Sequence, residues 1–135
     1  MEQEAYCQKN ILIVDDDPDI VNSLKELFEN HGFQVTTAEN GRDCLLELEK
    51  GFQGIIILDL MMPVMDGAET IKKMTADGFT DKNTIIVLTA KRVQGEEFDE
   101  IYPHIYDYIT KPFDINDLLQ TVKKIAQQSS LRKRV

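Results

Sequence analysis

Gly54-Ile55-Ile56-Ile57-Leu58-Asp59 is an unbroken apolar run that ends in a single acid. A run this short and β-branched, bounded by turn residues, is typical of a strand buried on both faces of a parallel sheet. A charge at the end of such a strand is expected at the carboxyl edge of the sheet, where open α/β sheets bind their ligands. Asp59 is therefore predicted to be a carboxylate that a rigid strand presents to solvent, and such carboxylates can act as nucleophiles.

Outward from this run, short apolar stretches alternate with amphipathic stretches along the whole chain. Strands are predicted at residues 10–15, 33–38, 54–59, 84–88 and 105–109. Helices are predicted at residues 18–30, from about 41, from about 67, at about 95–101 and at 115–127. Strands separated by single helices indicate βαβ units with right-handed crossovers. The fold class is thus predicted to be α/β, with a parallel sheet of five strands and five helices.

The composition is that of one domain with an ordinary core: 135 residues, of which 42% are hydrophobic and 29% charged. A net charge of −9 argues against binding nucleic acid or an anionic membrane through bulk electrostatics. No stretch approaches the roughly 20 apolar residues of a membrane helix, and the polar start is not a signal peptide. Cys7 and Cys44 are interpreted as reduced thiols, which favours a cytoplasmic protein.

Polar side chains follow four of the predicted strands. Asp15 and Asp16 end the first strand, Asp59 the third, Thr89 the fourth and Lys111 the fifth. One strand order, 2-1-3-4-5, reverses direction between strands one and three, so a crevice would open there and collect the three acids. Lys111 would start two strands away from Asp59, roughly 10 Å at the usual strand spacing, and its side chain can cover most of that distance.

The grouped side chains suggest a particular chemistry. Three carboxylates this close repel one another and raise each other's pKa unless a cation is present. Oxygen ligands at an exposed edge suit Mg²⁺, whereas no cysteine or histidine lies near enough in sequence to favour zinc. With the hydroxyl of Thr89 and the cation of Lys111, the set matches the requirements of phosphoryl transfer. The absence of a glycine-rich loop indicates a small phosphoryl group and not ATP.

Four motifs follow one another along the chain: Ile11-Leu12-Ile13-Val14-Asp15-Asp16-Asp17-Pro18, Asp59 with Met62-Pro63 and Asp66-Gly67, Leu88-Thr89-Ala90, and Lys111-Pro112-Phe113. In this order and spacing they resemble the receiver domain of two-component response regulators. The resemblance covers residues 9–127 and implies a flavodoxin-like, doubly wound fold. Residues 128–135 form a basic tail that is either a frayed helix end or the start of a linker.

The resemblance implies a phosphoacceptor and a metal site. Asp59 would take a phosphoryl group from the phosphohistidine of a sensor histidine kinase or a histidine phosphotransfer protein. Asp15 and Asp16 would position Mg²⁺ beside Asp59, with Asp16 and the backbone carbonyl of Met61 as direct ligands. The domain would modify and dephosphorylate only itself, so turnover of an external substrate is not expected.

The resemblance also implies a switch. Thr89 would move to meet a phosphoryl oxygen, Lys111 would pair with that oxygen, and Tyr108 would occupy the aromatic switch position, although packing at an edge strand would also explain Tyr108. The Lys111–Pro112 peptide is expected to be cis. By the same resemblance, Lys91 and Met61 would flank the site at positions that tune the lifetime of the phosphoryl group, but neither is an acid or amide that would position a water, so that lifetime is left open.

The partners implied are the phosphodonor protein and a downstream effector or attached output domain, without direct contact to nucleic acid or membrane. Whether phosphorylation produces a homodimer is a question that the sequence leaves open.

Two alternative functions come from other classes of protein. A haloacid dehalogenase-type phosphatase also uses a strand-end aspartate and Mg²⁺, but Met61 stands where the second acid of its D-x-D motif is expected. An interaction module that works without phosphorylation is disfavoured by the acid pair and Lys111.

Overall fold

The computed structural model describes residues 8–90 and 95–128. In these residues, one parallel sheet has the strand order β2-β1-β3-β4-β5. The strands are β1 (Asn10–Val14), β2 (Gln34–Ala38), β3 (Ile55–Leu58), β4 (Thr84–Thr89) and β5 (Asp107–Thr110). The helices are α1 (Pro18–Asn30), α2 (Gly41–Glu49), α3 (Gly67–Ala76), α4 (Glu96–Ile101) and α5 (Ile115–Gln127). The predicted flavodoxin-like α/β fold with this strand order is confirmed.

Two apolar layers cover the two faces of the sheet, because successive side chains of a strand point in opposite directions. Ile56 and Leu58 of β3 pack in one layer with residues of α2, α3 and α4. Ile55 and Ile57 pack in the other layer with residues of α1 and α5. All four residues of β3 are buried, which confirms the prediction, made from its apolar run, of a strand buried on both faces. This double coverage makes the central strands the rigid part of the molecule.

The helices α1, α3 and α5 start at the predicted positions, and a capping side chain stands directly before each of them. Asp17 accepts a hydrogen bond from the Asp19 amide at the start of α1, and Asp66 accepts one from the Glu69 amide at the start of α3. Asp114 caps α5 in the same way. A cap carboxylate satisfies amide groups that have no partner inside the helix. Asp17 and Asp66 therefore have structural roles at the starts of α1 and α3.

The structure differs from the sequence prediction at the start of β5. The strand was predicted from Ile105, but it begins at Asp107, and it runs to Thr110, which pairs with Thr89. Residues Tyr102–His104 form a 3-10 turn after α4, and the Ile105 amide donates to the Tyr102 carbonyl. That bond uses the Ile105 amide for the turn, whereas the next amide, that of Tyr106, donates to the Ile85 carbonyl of β4 at 2.7 Å, so pairing with β4 starts only after Ile105. Helix α4 lies within the predicted range of about 95–101 and has six residues, because Pro103 follows it and a proline disfavours continuation of a helix.

Three segments fall outside this description: residues 1–7, 91–94 and 129–135. The predictions for Cys7, for Lys91 and for the basic tail therefore concern residues outside the described part. Over the part of the chain that the structure does describe, none of the helices has the length and apolar character needed to cross a membrane.

The loop between β3 and α3 contains a strained residue. Val64 has a φ of +69°, and its side chain is 74% exposed, so it loses little contact on truncation. We expect Val64→Gly to raise the free energy of unfolding by about 0.5–1 kcal/mol. The left-handed conformation destabilises a residue with a side chain by about 1–2 kcal/mol, and glycine avoids this cost. The extra freedom of glycine favours the unfolded chain and cancels about 0.5–1 kcal/mol of that gain. Urea unfolding measures the difference.

Val64→Ala is the matched control, since it keeps the Cβ atom and therefore the steric cost of the positive φ. It should not share the gain of the glycine variant. A glycine variant less stable than the wild type would contradict the strain at this position.

Candidate functional site

Three carboxylates meet at the carboxyl edge of the sheet, beside the point where β1 and β3 end as neighbours. The Asp15 amide donates to the Ala38 carbonyl, and the Asp59 amide donates to the Val14 carbonyl at 3.0 Å. These bonds extend the ladder one residue past each strand, so the backbone fixes where the acids stand. Asp15, Asp16 and Asp59 each offer an oxygen atom, and the three atoms lie within 4.8 Å of one another. The crevice predicted from the strand order gathers these three acids.

Lys111 brings a positive charge into the same crevice. Its Nζ atom lies 2.9 Å from Oδ2 of Asp15 and 3.2 Å from Oδ2 of Asp59. The Lys111 amide donates to the Thr89 carbonyl at 2.8 Å, which anchors the base of the side chain beside β4. The Lys111–Pro112 peptide is cis, as the resemblance implies. The sequence predicted that Lys111 reaches Asp59; the ion pair with Asp15 was not predicted.

Burial and charge act against each other on these groups. Burial raises the pKa of Asp15, and the Asp17 amide and the Lys111 ammonium only partly offset that rise. For Lys111, burial by itself lowers the pKa, but the hydrogen bonds and charges of Asp15 and Asp59 outweigh it and raise the pKa above 10.5. Lys111 therefore keeps its positive charge throughout the neutral range.

The loop after β3 holds the Asp59 carboxylate from the other side. The Met61 amide donates to Oδ1 of Asp59 at 2.9 Å, while Oδ2 faces Lys111. Helix α3 begins close to the end of β3. A Cβ atom built on Gly67, its first residue, would lie only 2.6 Å from the Asp59 carbonyl oxygen. In the sequence, Gly67 stands out only as part of the Asp66-Gly67 motif. A glycine directly after the helix cap Asp66 was the available signal for this close approach.

Thr89 and Tyr108 complete the predicted set. Thr89 is fully buried at the end of β4, and its hydroxyl has no hydrogen-bond partner among the described residues. A buried hydroxyl without a partner costs about 1–3 kcal/mol, so Thr89 is a hydroxyl ready for an incoming acceptor. Tyr108 is half-buried on β5 and packs edge-on against Phe98 of α4, with ring centroids 5.5 Å apart. Tyr108 therefore connects the strand next to Thr89 with α4.

The donor set suits a hard divalent cation. All three grouped ligands are carboxylate oxygens, and Asp16 is exposed where Asp15 and Asp59 are buried. Oxygen ligands of this kind match Mg²⁺, which keeps several waters and takes one or two carboxylates. Cys44 lies in the apolar core, where burial raises its thiol pKa to about 12, so it is neither a ligand nor a nucleophile here.

Comparison with known proteins relates this site to a family. The family model of the response regulator receiver domain matches residues 11–123. Protein PilH of Pseudomonas aeruginosa is 33% identical over 118 residues, which are 85% of this chain and 95% of PilH. The alkaline phosphatase synthesis transcriptional regulatory protein PhoP of Bacillus subtilis is 36% identical over 126 residues, which are 91% of this chain but 50% of PhoP.

Solved structures agree. A CheY-like receiver domain protein from Methanospirillum hungatei has a TM-score of 0.80 at 35% identity, covering 87% of this chain and 93% of that protein. The response regulator TrrA of Thermotoga maritima, solved with Mg²⁺-BeF, has a TM-score of 0.72 at 33% identity, covering 86% of this chain and 97% of TrrA. The chain spans almost all of PilH and about half of PhoP. It belongs to the receiver domain family of two-component response regulators.

Proposed function

We propose that this receiver domain accepts a phosphoryl group on Asp59 from a phosphohistidine partner, with Mg²⁺, and in response changes its partner-binding surface. The observation that carries the proposal is the position of Asp59. Its Oδ2 lies 3.2 Å from the Lys111 ammonium, in a crevice that holds two further carboxylates. This is a nucleophile with a cation on one side and metal-ligand oxygens on the other, which are the elements that phosphoryl transfer requires.

The metal would be held by the acid cluster. Asp16, Asp59 and the backbone carbonyl of Met61 are the proposed direct ligands, and Asp15 positions the ion. Support comes from the grouping of the three carboxylate oxygens and from TrrA, which was solved with Mg²⁺-BeF. When bound, Mg²⁺ would neutralise negative charge on the oxygens of the transferred group.

The chain's own residues account for the rest of the transfer. An Asp59 carboxylate oxygen forms the new O–P bond as the P–N bond to the partner's histidine breaks. The Met61 N–H group holds Oδ1 and so orients the carboxylate. The Lys111 ammonium, already 3.2 Å from Oδ2, pairs with a phosphoryl oxygen once that group is present. Because the product stays attached to Asp59, the domain is not an enzyme with an external substrate.

The same groups supply the proposed switch. The Thr89 hydroxyl has no partner among the described residues, so a phosphoryl oxygen on Asp59 offers it a strong acceptor. Movement of Thr89 towards that oxygen frees space beside Tyr108, whose ring contacts Phe98 of α4. The added charge would thus shift the equilibrium between two arrangements of the α4–β5 surface.

The proposed partners follow from the family. A sensor histidine kinase or histidine phosphotransfer protein donates the phosphoryl group, and a downstream effector or attached output domain receives the signal. A cytoplasmic location belongs to the same proposal. The haloacid dehalogenase-type phosphatase is disfavoured, since that class needs a second acid at the position of Met61, and a half-exposed methionine stands there.

Phosphorylation is tested directly with a small phosphodonor, acetyl phosphate, and Mg²⁺. Intact mass spectrometry should show the gain of one phosphoryl group in the wild type, none in Asp59→Ala, and one in the control Asp66→Asn, because asparagine still caps α3. No gain in the wild type, or a gain that survives Asp59→Ala, would falsify the proposal. Turnover of many phosphoester molecules per chain would favour the phosphatase.

Metal binding is tested by two neighbouring substitutions. Asp16→Asn should weaken Mg²⁺ affinity by at least about tenfold, because losing even an outer-shell partner of a metal typically costs 10–100-fold. Asp17→Asn should leave the affinity near the wild-type value, because Asp17 caps α1 and asparagine keeps that role. Isothermal titration calorimetry measures both. Equal affinities in the two variants would contradict the ligand assignment, and no Mg²⁺ binding by the wild type would favour the phosphorylation-independent module.

The charge balance of the site predicts a pH dependence. In metal-free buffer at pH 8, Lys111→Met should lower the free energy of unfolding by roughly 2–3 kcal/mol, because Asp15 and Asp59 lose their counter-charge. The pKa of Lys111 is raised in the folded protein, so its stabilising contribution is present below 10.5 and is lost as the pH rises further. The difference between the two proteins should therefore shrink above that pH.

Urea unfolding at several pH values measures this difference, and Lys124→Met, at an exposed position of α5, is the control. A difference that stays constant through the alkaline range would mean that Lys111 contributes by packing and not by charge.

A further inference from the structure

We propose that Gly41 is a positioning residue for the phosphoryl site. Its missing side chain lets α2 close against α3 and hold the β3–α3 loop (residues 60–66), which carries Met61 to Asp59. The inference rests on the proposed function and extends it to a residue outside the acid cluster. Gly41 is the first residue of α2.

Gly41 is required by space and not by backbone conformation. It has a helical backbone directly after the cap Asn40, and it is not among the glycines with positive φ. A Cβ atom at this position would lie 1.9 Å from Oγ1 of Thr70 and 2.9 Å from the carbonyl oxygen of Met65. Neither distance is tolerable, so a side chain at position 41 must move a neighbour.

The neighbours are poorly able to yield. Thr70 is fully buried on α3, and its hydroxyl donates to the Asp66 carbonyl at 2.7 Å. Rotating the hydroxyl away would break that bond inside the protein, which costs about 1–3 kcal/mol. The second contact, the Met65 carbonyl, is backbone of the β3–α3 loop itself. A side chain on Gly41 therefore pushes on the loop or on the start of α3.

The loop transmits this displacement to the phosphoacceptor. At one end the Met61 amide donates to Oδ1 of Asp59, and at the other Gly67 packs against the Asp59 carbonyl. The Gly67 amide also donates to the Leu60 carbonyl at 3.0 Å. Contacts with the residues around Asp59 thus restrain both ends of the loop, so the loop cannot absorb a displacement locally. A push at Met65 is expected to move Met61, which carries both the N–H group that orients Asp59 and a proposed metal ligand.

The test compares two glycines of the same helix region. Gly41→Ala should weaken Mg²⁺ affinity about tenfold and slow acetyl-phosphate phosphorylation of Asp59 by a similar factor. Gly51→Ala lies just beyond the other end of α2, at a φ of +109° with open space around it. That variant should lose stability through backbone strain while keeping wild-type Mg²⁺ affinity. Calorimetry on folded protein, with stability measured separately by urea, distinguishes a positioning role from general loosening.

A compensating substitution tests the contact itself. In Gly41→Ala with Thr70→Ala the Oγ1 atom is gone and only the 2.9 Å contact with the Met65 carbonyl remains, so Mg²⁺ affinity should recover in part, to a value between those of Gly41→Ala and the wild type. This double variant also serves if Gly41→Ala alone fails to fold. Unchanged Mg²⁺ affinity in Gly41→Ala, or a double variant no better than the single one, would overturn the inference.

A second readout separates this inference from the proposed function. In metal-free protein, Gly41→Ala should shift the ¹H–¹⁵N amide signal of Met61, whereas Gly51→Ala should leave it unchanged. If the wild type neither binds Mg²⁺ nor accepts a phosphoryl group, the proposed function fails, and the Met61 signal alone decides the role of Gly41. An unmoved Met61 signal overturns the inference in either case.

Discussion

The Lys111 ammonium lies between two buried carboxylates, and the rest of the site depends on that arrangement. A parallel sheet brings the carboxyl ends of β1 and β3 side by side, so Asp15 and Asp59 are close whether or not their charges favour it. Two ionised acids out of water would be unstable without a cation. Lys111 supplies one positive charge, and the grouped oxygens of Asp15, Asp16 and Asp59 could hold a second cation. An added phosphoryl group would change this balance, which gives the proposed switch its driving force.

The molecule separates what must stay rigid from what can change. β1, β3 and β4 are buried almost throughout, so the acids and Thr89 stand on fixed supports. The last strand differs: β5 lies at the sheet edge, none of its residues is fully buried, and α4 beside it has only six residues. Elements with few buried contacts open and rearrange at the lowest cost. The proposed conformational response is therefore expected at α4 and β5, next to Tyr108, and not in the central strands.

How far the sequence determines this structure depends on whether a feature is local. The apolar strand before Asp59, the helix starts at residues 18 and 67, and the strand-end positions of the acids were predicted, because each rests on a local pattern. The ion pair between Lys111 and Asp15 was not predicted, since side-chain direction across the crevice depends on packing. The contacts of Gly41 with Thr70 were also missed. They join segments distant in sequence, and a glycine after Asn40 reads equally well as a turn residue.

The deficits of the site explain why it should bind ligands at all. Burial raises the pKa of Asp15 despite its contact with Lys111, and the buried Thr89 hydroxyl lacks a partner among the described residues. Each deficit costs free energy in the ligand-free protein. A cation beside the acids and an oxygen acceptor near Thr89 would remove both costs. A ligand that binds only the folded chain stabilises it by mass action, about 2.7 kcal/mol at 100 times its Kd. The proposed phosphoryl site thus lowers the free energy of unfolding of the ligand-free protein, and Mg²⁺ and a phosphoryl group together would restore it.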